Sequence, residues 1–133
     1  MTQGTVRTLF VEDEPDLREI VTVALGLDPG FVVSTYPSAE DALESLHGNN
    51  ERFDLALLDV RLPAMSGIDL HHRLRSIPGL ERIETVLMTA SMLPRQVPKG
   101  LTDPRGEVLG VIQKPFHPLR LAADLRAMLT RAA

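Results

Sequence analysis

The sequence predicts an α/β fold, an open parallel sheet covered by helices. Short apolar runs alternate along the chain with segments of helical periodicity. One run, Leu55 to Leu58, is continuously apolar rather than alternating, the pattern expected when both faces of a sheet are covered. Polar residues stand where the runs stop: Glu12 and Asp13, then Asp59, Thr89 and Lys114. In an open parallel sheet such strand ends line one crevice, where ligands bind.

The elements follow in order. Thr8 to Val11 is a short strand, broken by Glu12-Asp13-Glu14-Pro15. From Asp16 to Asp28, Leu17, Ile20, Val21, Ala24 and Leu25 recur at helical spacing. Pro15 and Asp16 suit the start of that helix, and Pro29-Gly30 its stop. Phe31 to Tyr36 is β-branched and aromatic, hence a strand. Ser38 is an N-cap with Glu40 and Asp41 in the first turn, opening a helix to about His47. Gly48-Asn49-Asn50 is a turn, and Asp54 to Val60 is the clearest buried strand. Leu62 to Gly67 is a loop, Ile68 to Ser76 a helix ended by Pro78-Gly79, and Thr85 to Thr89 a fourth strand. A fifth runs from about Val108 to Gln113, and Pro118 to Thr130 is a closing helix with Leu121, Leu125, Met128 and Leu129 on one stripe. Between these last two strands, Ser91 to Gly110 holds Pro94, Pro98, Pro104, Gly100, Gly106 and Gly110. An interior proline costs a helix about 3 kcal/mol, so no regular helix is expected there.

The totals set the class. The 133 residues suit one domain, spanning 1–133, with a real core. A hydrophobic fraction of 44% and a charged fraction of 24% are ordinary for a soluble protein. A net charge of −4 argues against a large basic nucleic-acid surface. The absence of cysteine removes disulfide and thiol chemistry. Met1 to Arg7 lacks the apolar core of a signal peptide, and no run approaches the roughly 20 apolar residues of a membrane span. The expected location is the cytoplasm, with no membrane contact.

Three carboxylates, a hydroxyl and an ammonium meeting in one crevice suit a hard divalent cation and a phosphoryl group. Glu12 and Asp13 are neighbours, and can share a site only where the strand turns into a loop. Clustered carboxylates repel unless one is protonated or a cation is bound. Mg²⁺ takes oxygen ligands, including one or two carboxylates and phosphate oxygens. Acids ahead of a helix also favour its dipole. Asp59 alone reads as a turn residue, and Thr89 alone as the end of a strand. Lys114 must snorkel or find an anion, and Pro115 opens the option of a cis bond beside it.

Val11-Glu12-Asp13-Glu14, the run Leu57-Leu58-Asp59-Val60-Arg61-Leu62-Pro63-Ala64-Met65-Ser66-Gly67, Met88-Thr89-Ala90 and Lys114-Pro115-Phe116 together resemble the receiver domain of bacterial two-component response regulators. The similarity runs from about Thr8 to Thr130. It implies a flavodoxin-like, doubly wound sheet of five parallel strands in the order 2-1-3-4-5. It implies Asp59 as phosphoryl acceptor, and Mg²⁺ held by Glu12, Asp13, Asp59 and the backbone carbonyl of Arg61. Thr89 and Lys114 would bind phosphoryl oxygens. The donor would be a histidine of a sensor kinase or phosphotransfer protein, docking near Pro15, Leu17, Arg18, Pro115 and Phe116. Such a chain catalyses only its own phosphorylation and slow dephosphorylation.

The sequence also departs from that family. An aromatic residue usually stands three positions before the lysine and swings inward. Here Val111 occupies the place, so an aromatic switch cannot operate. The breaker-rich segment replaces the family's fourth helix, which is expected to be short, displaced or absent. Phosphorylation is then expected to change the order of Ser91 to Gly110, a recognised switching mode. Arg61 projects near the pocket mouth, either toward the phosphoryl group or into solvent. His71 and His72 face different directions on a helix and are expected at the surface, with no metal site. Two other function classes remain: a receiver-shaped binding module that is never phosphorylated, and an aspartyl-phosphate phosphatase. The phosphatases of haloacid-dehalogenase type carry Asp-x-Asp after the first strand, whereas Asp59-Val60-Arg61 follows the third. The chain is either a complete regulator or part of a longer one, and its sequence names neither output partner nor oligomeric state.

Overall fold

A computed structural model describes residues 4–47, 52–90 and 108–132 of the chain. The elements are β1 (Val6–Val11), α1 (Pro15–Gly26), β2 (Phe31–Tyr36), α2 (Ala39–Leu46), β3 (Leu55–Asp59), α3 (Gly67–Arg75), β4 (Glu84–Thr89) and β5 (Gly110–Gln113). A 3-10 turn, Pro118–Arg120, then leads into α4 (Leu121–Ala132). The five strands form one parallel sheet in the order β2-β1-β3-β4-β5. This is the doubly wound, flavodoxin-like arrangement expected from the sequence.

The continuous apolar runs are explained by the period of a strand, which sends neighbouring side chains to opposite faces. Leu9, Val11, Ala56, Leu58 and Leu87 join Ala39, Ala42 and Leu46 of α2 and Leu70 and Leu74 of α3 in one core. Phe10, Leu55, Leu57, Val86 and Met88 join Val21, Ala24 and Leu25 of α1 and Leu121 and Leu125 of α4 in the other. Burying each large apolar side chain contributes about 1.5–3 kcal/mol before the entropic cost of ordering the chain.

Local chemistry sets the helix starts. The Ser38 hydroxyl accepts from the Asp41 N–H (3.0 Å) at α2, and the Ser66 hydroxyl from the Asp69 N–H (3.1 Å) at α3. Pro15 opens α1, where its missing N–H costs nothing. Gly67 lies so close to β3 that a Cβ would collide with the Asp59 carbonyl. Its N–H donates to the Val60 carbonyl (2.9 Å), fastening the start of α3 against the end of β3. β1 begins at Val6, two residues before the apolar run, because Val6 and Arg7 pair with Phe31 and Val32 of β2.

His71 departs from the surface position expected for it. It is buried, and its Nδ1 lies 2.8 Å from the Thr85 hydroxyl of β4. A polar partner on the strand lets α3 bury an imidazole without an unmet hydrogen bond. His72 is exposed, as expected. Val111 is half-buried against the core of α2 and α3. The expected loss of a regular fourth helix, and the proposed switching of Ser91 to Gly110, fall mostly on residues 91–107, outside the described residues.

Candidate functional site

The ends of β1, β3, β4 and β5 bring the predicted residues to one rim of the sheet. β1 stops at Val11, and Glu12 follows it, fully buried. The Glu12 N–H still donates to the Tyr36 carbonyl of β2 (3.1 Å). Its Oε2 accepts from the Glu14 N–H (3.1 Å), and its Oε1 from Lys114 Nζ (3.0 Å). Asp13, one residue on, is exposed. Asp59 is the last residue of β3 and is buried. Its Oδ2 accepts from Lys114 Nζ (2.9 Å) and its Oδ1 from the Arg61 N–H (3.0 Å). Both carboxylate oxygens are thereby oriented by donors.

Thr89 ends β4 and is buried, and its carbonyl accepts from the Lys114 N–H (2.8 Å). That bond registers the lysine beside the end of β4. The Lys114–Pro115 peptide is cis. The Arg61 side chain is exposed. Glu12, Asp13 and Asp59 each offer an oxygen within 4.8 Å of the others, so the three predicted acids do form one cluster. Its all-oxygen donor set fits a hard cation such as Mg²⁺.

Electrostatics follow from burial and from the shared lysine. Burial pushes the Glu12 carboxyl up to about 7, against the lowering effect of Lys114 and the Glu14 N–H, while the neighbouring Asp59 adds to the rise. For Lys114, burial works to lower the pKa. The hydrogen bonds to Asp59 and Glu12 outweigh it and hold the ammonium above its usual value. The lysine is thus the cation that makes two facing carboxylates tolerable.

One contact at the site was missed by sequence reasoning. Arg18, expected on the docking surface, also donates through its Nη1 to the Glu12 carbonyl (2.7 Å). The available signal was an arginine early in a helix that begins just after the acidic pair. The α1 surface nearby carries exposed Ile20 and Val23, and Leu119 is exposed in the 3-10 turn beside it. No helix among the described residues is long and apolar enough to cross a membrane.

Comparison with known proteins identifies the family and agrees with the fold. The family model of the response regulator receiver domain matches residues 8–126. The chain is 36% identical over 127 residues to the probable transcriptional regulatory protein TcrX of Mycobacterium tuberculosis, covering 95% of this chain and 50% of that protein. It is 35% identical to the DNA-binding response regulator MtrA of Mycolicibacterium smegmatis, covering 94% of this chain and 51% of MtrA. The chain therefore spans about half the length of the curated relatives it matches. Among solved structures, the chemotaxis response regulator CheY4 of Vibrio cholerae superposes with a TM-score of 0.80 at 25% identity, covering 94% of this chain and 99% of that one. The BeF3-activated receiver domain of DrrB gives 0.76 at 25% identity, covering 96% and 99%.

Proposed function

The chain belongs to the response regulator receiver domain family, and on that premise we propose that it is a phospho-accepting switch whose Asp59 takes a phosphoryl group from a partner histidine. The observation that carries this reading is the placement of Lys114 Nζ, 2.9 Å from Asp59 and 3.0 Å from Glu12, with Asp13 completing the acidic cluster. An Asp59 oxygen attacks phosphorus in line as the nitrogen–phosphorus bond breaks, leaving its electron pair on the histidine. The product is an acyl phosphate. Phosphoryl transfer of this kind depends mainly on positioning and on charge neutralisation. Lys114 is assigned to one phosphoryl oxygen and the Thr89 hydroxyl to another. A Mg²⁺ ion held by Glu12, Asp13, Asp59 and the Arg61 backbone carbonyl would offset the remaining negative charge.

The donor is a sensor histidine kinase or a histidine phosphotransfer protein. It would dock over Pro15, Leu17, Arg18, Pro115 and Phe116, with exposed Ile20 and Leu119 supplying apolar surface. The reading assigns these residues no membrane contact, a cytoplasmic setting and no turnover beyond slow self-dephosphorylation. It also assigns them no direct nucleic-acid contact. The DNA binding in MtrA's name belongs to a protein about twice this length, and the net charge here is −4. Intact-mass measurement after acetyl phosphate and Mg²⁺ tests the proposal. One phosphoryl adduct is expected on the wild type and none on Asp59→Asn. An unmodified wild type, or equal labelling of both, refutes it.

A further inference from the structure

We propose that Arg18 is a positioning residue for the cation-binding corner of the pocket, acting through the backbone carbonyl of Glu12. The inference rests on the receiver reading and adds to it a residue outside the acidic cluster. β1 ends at Val11, so the sheet ladder that orders the preceding carbonyls stops there. The next group, the Glu12 carbonyl, is taken instead by Arg18 Nη1 at 2.7 Å. Arg18 is itself anchored in the first turns of α1, where its N–H donates to the Glu14 carbonyl (3.0 Å).

The consequence reaches Asp13 through covalent geometry. A peptide unit is planar, so fixing the Glu12 oxygen fixes the plane that carries the Asp13 nitrogen and Cα. Neighbouring residues of a strand point opposite ways, and two adjacent acids share a site only if the backbone turns between them. The Glu12 N–H is held by Tyr36, and the Glu12 carboxylate by Glu14 and Lys114. Arg18 holds the remaining polar group of Glu12, the one through which the turn proceeds. Its position thus decides whether the Asp13 oxygen stays within 4.8 Å of those of Glu12 and Asp59.

Two simpler roles for Arg18 predict different results. A docking arginine would affect transfer from a partner histidine only. A bystander charge would repel a cation, so that its removal tightens Mg²⁺ binding. Loss of a positioning contact weakens it, by about tenfold for partners that orient metal ligands.

Calorimetric titration of the whole chain with Mg²⁺ alone, on wild type, Arg18→Met and Arg18→Lys, separates these cases, with circular dichroism to establish that the variants fold. Arg18→Met is expected to bind about tenfold more weakly. Arg18→Lys, which keeps the charge and shortens the reach, is expected to lie between the two. Phosphorylation of Arg18→Met by acetyl phosphate, with no partner present, is expected to slow at low Mg²⁺ and recover at saturating Mg²⁺. Wild-type or tighter affinity in the folded variants overturns the inference while leaving the receiver reading intact. A wild type that binds no Mg²⁺ and takes no phosphoryl group defeats both.

Discussion

Lys114 holds Glu12 and Asp59 together at 3.0 and 2.9 Å, so one ammonium serves two buried carboxylates. Breaking a buried ion pair by removing one partner leaves an uncompensated charge, which costs more than the pair contributed. Lys114→Met is therefore expected to destabilise the metal-free protein by about 2–3 kcal/mol, somewhat under the fully buried case. Mg²⁺ is expected to recover part of that loss, because a cation can take the ammonium's place between the carboxylates. Urea unfolding of the variant with and without Mg²⁺ checks both halves. A metal-free stability equal to wild type would show that the carboxylates do not need the lysine. At this scale the sequence was informative about residue type and poor about partners. A lysine ending an apolar strand must snorkel or find an anion, so Lys114 stood out. The Arg18 contact and the burial of His71 were not, because each depends on a group brought near by the fold, the Glu12 carbonyl in one case and Thr85 in the other.

Between elements, the joint that sequence patterns could not show is the clasp of α1, β2 and α4. Asp28, just past α1, accepts from Arg126 of α4 through both oxygens, at 2.6 and 2.8 Å, and from the Gly30 N–H (2.8 Å). The same guanidinium lies 5.0 Å from the ring centre of Phe31, at the start of β2. The partners are 98 residues apart, so no local period connects them. The strands, by contrast, were legible because burial on both faces writes itself as a continuous apolar run. Their starts were less so, since Val6 and Arg7 join β1 through ladder pairing rather than burial. Hydrogen bonds from Arg126 and then from Gly30 hold the Asp28 carboxyl at about 2, below its ordinary 3.8. A depressed carboxylate pKa means that the native state binds fewer protons than the unfolded chain, so stability rises with pH through that window. The contribution is complete above about 3.8 and is lost as pH falls through about 2. Asp28→Asn is thus expected to be less stable than wild type at neutral pH, with the gap closing on acidification across that interval. A gap that stays constant from neutral pH to pH 2 would remove the charge from the explanation.

For the molecule as a whole, the acidic cluster couples cation binding to global stability. Its carboxylates come from the ends of β1 and β3, and the lysine between two of them follows β5 at the far side of the sheet. Unfolding the sheet separates Asp59 and Lys114 from the adjacent pair Glu12-Asp13, so the unfolded chain offers no comparable three-carboxylate site. A ligand that binds only the folded state stabilises it by about 2.7 kcal/mol when present at a hundred times its dissociation constant. For a domain of this size that corresponds to a rise in Tm of roughly 10 °C. The expected result is a Mg²⁺-dependent melting temperature that a chelator returns to its metal-free value. Asp13 isolates the cause, because its side chain is exposed and lies outside both apolar cores. Asp13→Asn is expected to keep the metal-free Tm or raise it slightly, since one of three like charges is gone, and to lose most of the Mg²⁺ shift. A full shift in that variant would mean that the cation binds elsewhere on the molecule, and the three strand-end carboxylates would then have no claim to it.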